Sequence, residues 1–103
     1  MRAELSRVLA LQADRVRATP LSQLDRPRQG AESTRAQLVR RTAQVLADLA
    51  ADAEGRPRRE LPRLALHGLG DQLAVTGSDV LAHGDPPALA AALEAVLELR
   101  RGL

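Results

Sequence analysis

The chain contains no Phe, Tyr, Trp, Cys, Lys, Ile or Asn. Each absence removes a class of chemistry. Without cysteine there is no disulfide framework, no thiolate metal ligand and no thiol nucleophile, and the redox compartment cannot be read. Without lysine there is no amine nucleophile, so every one of the 15 strongly basic side chains is Arg, and two His are the only side chains suited to titrate near neutrality. Without aromatics there is no phenol and no platform on which single-stranded bases could stack. The core then rests on Leu, Ala and Val, which each bury less area than an aromatic ring. Phe, Tyr, Ile, Lys and Asn share AT-rich codons, and their joint absence reads as the imprint of a GC-rich bacterial genome. No apolar run approaches the length of a membrane span. The first residues carry Arg2, Glu4 and Arg7 with no apolar stretch behind them, which argues against a signal peptide and for a cytoplasmic protein with no membrane partner.

What remains is ordinary for one small globular domain. Of 103 residues, 45% are hydrophobic, and 15 basic residues nearly balance 13 acidic ones. The net charge of +2 therefore does not by itself demand an anionic partner. A core of Leu, Ala and Val in so short a chain predicts low monomer stability or a surface for self-association, and we expect the second.

Residues 2–18 predict an amphipathic helix, with Leu5, Val8, Leu9, Ala13 and Val16 at helical spacing. Thr19 and Pro20 stop it, or open a short turn with Thr19 as N-cap. Pro27 and Gly30 mark a loop at 25–31. A second helix at about 31–54 has an apolar stripe of Leu38, Val39, Thr42, Val45, Leu46, Leu49 and Ala53, and Gly55 and Pro57 end it. Its charges run against the helix dipole: Arg35, Arg40 and Arg41 lie toward the N-terminus, and Asp48, Asp52 and Glu54 at the C-terminal end. A basic, Pro/Arg-rich connector at about 55–66 follows, extended because of Pro57 and Pro62.

Residues 67–83 fit either a helix, with Leu69, Leu73, Thr76 or Gly77 and Val80 on one side, or a hairpin at about 72–83 turning at Gly77 and Ser78. Helix is the expectation. Asp85, Pro86 and Pro87 begin a last helix whose Leu89, Leu93, Val96 and Leu97 share a face, with Arg100, Arg101 and Gly102 suited to its C-terminal end. The expected fold is all-α, a small bundle of three or four helices in a single domain over 1–103. The alternative is α+β with the hairpin.

Several catalytic classes find no support. No serine sits in a nucleophile elbow. Ser33 and Ser78 fit cap and turn positions. The Gly68 and Gly70 pair matches neither a dinucleotide fingerprint nor a phosphate loop. His67 with Asp71 and Asp79 with His83 have the four-residue spacing of a metal pair. On one continuous helix, however, the two His would point about 160° apart at roughly 100° per residue. We therefore expect no enzyme, no cofactor and no metal site, and read the glycines beside both His as helix-end caps.

The expected function is a small, non-enzymatic interaction or adaptor protein. It would self-associate as a homodimer or dock on a larger protein through apolar helix faces carrying Leu46, Leu49, Leu93 and Leu97. The alternative is an accessory protein that binds nucleic acid through Arg56, Arg58, Arg59 and Arg63, whose guanidinium forks match phosphate oxygens.

Overall fold

A computed structural model describes residues 1–28 and 30–103. The expected loop at 25–31 includes Gln29, which lies outside the described residues. The elements are α1 (Arg2–Ala18), α2 (Leu21–Leu24), α3 (Arg35–Ala53), a 3-10 turn at Leu66–Gly68, α4 (Leu69–His83) and α5 (Pro86–Gly102). The fold is a small all-α bundle. The possible hairpin at 72–83 is instead continuous helix, because packing overrides the poor helix propensity of Val75 to Asp79.

α4 and α5 each pack against both α1 and α3, and meet one another little beyond the Gly84–Asp85 corner that joins them. Their shared core includes Leu5, Val8, Val16, Val39, Leu46, Leu69, Leu73, Val80, Val96 and Leu99, all 2% exposed or less. Glycine allows the closest approach. At Gly77 a Cβ would stand 2.3 Å from Cδ2 of Leu9, and one heptad earlier a Cβ at Gly70 would stand 2.6 Å from Cγ of Arg17. α1 therefore lies on a groove in α4 that only missing side chains leave open.

Helix ends follow local chemistry. Thr34, rather than Ser33, caps α3: Gln37 N–H donates to Thr34 Oγ1 at 3.0 Å and Thr34 N–H donates to Gln37 Oε1 at 2.8 Å, a reciprocal capping box. α3 ends at a left-handed Gly55 (φ 67), with Arg56 N–H donating to Ala51 O and Gly55 N–H to Asp52 O, the Schellman pattern. Asp85 accepts from Ala88 N–H at 2.9 Å and starts α5 as expected.

Local expectations at the helix ends are met in some places and corrected in others. Thr19 closes α1 as expected, with its hydroxyl donating to Arg15 O, but Pro20 rather than Thr19 is the N-cap residue of the short α2. Ser78 lies inside α4. Gly84 caps the end of α4 as expected, in an extended conformation with its N–H donating to Val80 O, while Gly102 takes no left-handed cap conformation. Gly102 is the last residue of α5, and a Cβ there would meet Leu38 Cδ2 at 2.4 Å and Arg28 Nη1 at 2.8 Å.

Candidate functional site

The connector between α3 and α4 folds back along α3 as an extended strap, and side chains of the two helices hold it. At its centre, Gln44 acts as a template for the backbone. Its Nε2 donates to Arg59 O at 3.0 Å, and its Oε1 accepts from Leu61 N–H at 2.9 Å. Farther along, Arg40 donates twice to Leu64 O at 3.0 and 3.1 Å, and Gln72 of α4 donates to Pro62 O at 3.1 Å. Two prolines remove backbone donors from this segment, so side-chain donors to its carbonyls replace a β ladder.

The strap also explains the reversed charges of α3. Arg58 donates to both carboxylate oxygens of Asp52 at 3.0 and 2.7 Å and lies 3.9 Å from Asp48, while Arg56 pairs with Glu54. The acids that oppose the helix dipole thus meet cations returned by the chain itself. Hydrogen bonding to Arg58 holds the Asp52 carboxyl below its usual range, and bonding to Arg56 does the same for Glu54. Arg56 and Arg58 are raised in turn by the same partners.

Between the strap and α4 the chain leaves an apolar groove of about 410 Å³. Ala47 and Ala51 of α3, Val75 of α4, and Pro57, Leu61 and Leu64 of the strap line it, with Arg59 on the strap side and Asp71 and Asp79 on the α4 side. Val75 is 62% exposed and Leu64 37%, so this surface is uncovered rather than part of the core. Val75 falls off the α4 core stripe, and the sequence reading passed over it. An apolar β-branched residue off the buried face, opposite a Pro-rich segment, is the signal that could have found it.

Two groups of arginines stand apart from the rest. Arg17, Arg56 and Arg58 have carboxylate partners. Around the first half of α3 the arrangement differs. The loop preceding α3 closes through a Pro27–Thr34 bridge and an Arg28 N–H bond to Ser33 O at 3.2 Å. This brings Arg28 Nη2 2.9 Å and Arg41 Nη2 3.1 Å from the one Ser33 hydroxyl oxygen, so the two terminal nitrogens lie within about 6 Å of each other. The Ser33 hydroxyl thus bridges two like charges, with Arg41 open to solvent that screens their repulsion. Arg40 and Arg63 stand beside Arg41, and Arg40 is lowered by burial and then by the Arg63 charge.

The expected site residues are therefore scattered. Leu46 is 0% exposed inside the chain's own core, which corrects its place on a partner-facing surface: the fold has already used it. Leu49, Leu93 and Leu97 are half-buried and pack against the same core. Of the four strap arginines, Arg56 and Arg58 are ion-paired, Arg59 rims the groove, and Arg63 joins the cluster at α3. A phosphate at Arg56 or Arg58 would have to displace a carboxylate. His83 faces Glu54 of α3 at 3.6 Å, while exposed His67 lies in the 3-10 turn before α4. Among the described residues no three His, Asp or Glu side chains gather as a metal set. No helix among them is long and apolar enough to cross a membrane. Comparison with protein-family models, curated proteins and solved structures finds no match to this chain.

Proposed function

We propose that this chain is a small, non-enzymatic interaction protein that docks on a partner protein through the groove between the strap and α4. The supporting observation is the exposed Val75, set among Leu61, Leu64, Ala47 and two prolines in a groove of about 410 Å³. Uncovered apolar surface rimmed by charge is what transient protein contacts use. The occupant we infer is a segment of another protein that places an apolar side chain over Val75. It would set an acidic group against Arg59 and a basic one against Asp79. The rim carries one sign on each wall, so it favours one orientation of the segment.

The chain lacks cysteine, so Val75→Cys provides a single thiol for a photo-crosslinker. The expected result is a stoichiometric protein adduct at position 75 that resists nuclease and is absent when the crosslinker is placed at Leu11→Cys on the exposed face of α1. The complex is lost in Val75→Glu and kept in Leu11→Glu, with both variants folded by circular dichroism. A complex that survives Val75→Glu overturns the groove as the docking site. An adduct consisting of two copies of this chain assigns the surface to self-association instead.

A further inference from the structure

Ser33 is the key to the cluster at the start of α3. Its hydroxyl oxygen accepts from both Arg28 and Arg41, at 2.9 and 3.1 Å. Both lone pairs are thereby occupied, and the hydroxyl proton is left free to donate to a further acceptor. On the open side, Ser33, Gln37, Arg40, Arg41 and Arg63 line a shallow cleft of about 500 Å³, with Glu32 the one acid among its lining residues. Gln37 uses its carbonyl oxygen in the capping box, so its amide N–H groups remain as donors. Arg40 is anchored by two bonds to Leu64 O, which fixes one wall of the cleft to the strap. Behind Ser33, Arg28 Nε is enclosed with no acceptor among the described residues. The cleft thus presents hydroxyl, amide and guanidinium donors, with Glu32 in its lining, Glu60 beside the same three arginines and the Asp25 charge acting on Arg40. Such a surface complements an oxyanion with several equivalent acceptor atoms.

We propose that this cleft binds the phosphate group of a small phosphomonoester, gripped by Ser33, Arg41 and Arg63, with Arg28 bracing Ser33 from behind. The dianion offers three terminal oxygens, enough to accept from the hydroxyl and two guanidinium forks at once. A carboxylate can also accept from these groups, but with two coplanar oxygens and a single charge it meets them less fully than the phosphate dianion. The site is separate from the groove at Val75 and does not depend on it.

The test is a titration of the intact protein with inorganic phosphate and with phenyl phosphate at fixed ionic strength, read by arginine Nε–H and backbone amide NMR shifts. Saturable shifts at residues 33–41 and 63 are expected, with a Kd on the order of 1 mM. Binding should tighten as pH rises through the second phosphate pKa of about 6. Arg41→Gln should weaken it at least about tenfold and Ser33→Ala several-fold, while Arg58→Gln, whose arginine is already paired with Asp52, should leave it unchanged. All three positions are at or near the surface, and thermal unfolding checks that each variant folds. Shifts that never saturate, that sodium chloride reproduces, or that Arg41→Gln leaves intact would overturn the proposal. So would binding confined to a DNA duplex with a steep salt dependence, since that describes a diffuse polyanion surface and not a discrete phosphate site.

Discussion

Replacing Gln44 with Ala should unfasten the strap without dissolving the bundle. The side chain makes two bonds to the strap backbone, to Arg59 O and from Leu61 N–H, at 3.0 and 2.9 Å. At about 1 kcal/mol net for each bond, the closed strap loses about 2 kcal/mol, which raises the population of the opened strap ~30-fold. Gln72 makes one bond, to Pro62 O, so Gln72→Ala should raise it only about fivefold. Limited trypsin digestion reads this directly. The Arg63–Leu64 bond lies in the strap, whereas the Arg7–Val8 bond lies within α1 and is exposed only by unfolding. When opening and closing are fast relative to cleavage, the cutting rate follows the open population. The strap bond should therefore be cut faster than the α1 bond in every variant, in the order Gln44→Ala, Gln72→Ala, wild type. Equal rates at the two bonds would show that the strap never opens apart from the whole fold. An unchanged rate in Gln44→Ala would refute the template role of its amide. Leu61, Leu64 and Pro57 form one wall of the groove, so partner affinity should fall only where the opened strap becomes a large share of the molecules.

Gly77→Ala should change sign with its neighbour. In the wild type a Cβ pushes into Leu9, and overpacking of about 1–3 kcal/mol outweighs the helix-propensity gain of about 1 kcal/mol. In a Leu9→Ala background the obstruction is gone and the same substitution should stabilise by about 1 kcal/mol, as measured by urea unfolding of the four proteins. Asp85→Ala, which removes the α5 cap, should destabilise by about 1 kcal/mol and lower Tm by roughly 4–8 °C in calorimetry. The folded-state values of Asp52 and Glu54 are depressed, so their pairing stabilises the protein above the ordinary carboxylate range and is lost as pH falls through the lowered values. Arg58→Gln should accordingly lower the urea midpoint at pH 7 and leave it unchanged near pH 2; an equal effect at both would show that the ion pair is not its source.

Local order was legible in the residues themselves. The apolar spacing in α1 and α5, the cap at Asp85 and the stop at Gly55 act over one or two turns, so sequence neighbours alone specify them. Tertiary contacts decided the rest. Residues 72–83 carry both helix and hairpin signals, and they become helix because α1 packs into the space left by Gly70 and Gly77. The same packing separates residues that look alike in the sequence. Leu46 is enclosed and Val75 is left outside, though both are apolar residues on helices.

The candidate sites were less legible, because they are made by segments far apart in the chain. Arg56, Arg58, Arg59 and Arg63 read as one basic run. Acids near the end of α3 neutralise the first two, the groove takes the third, and the course of the strap sets the last beside Arg40 and Arg41 despite their like charge. The sequence by itself determined that this chain makes amphipathic helices, which donors it has, and that aromatic and thiol chemistry are absent. Only the tertiary structure decided which charges remain unpaired and which apolar surface stays uncovered. Both are what is left after the helices and strap have satisfied one another, and that remainder depends on every long-range contact at once.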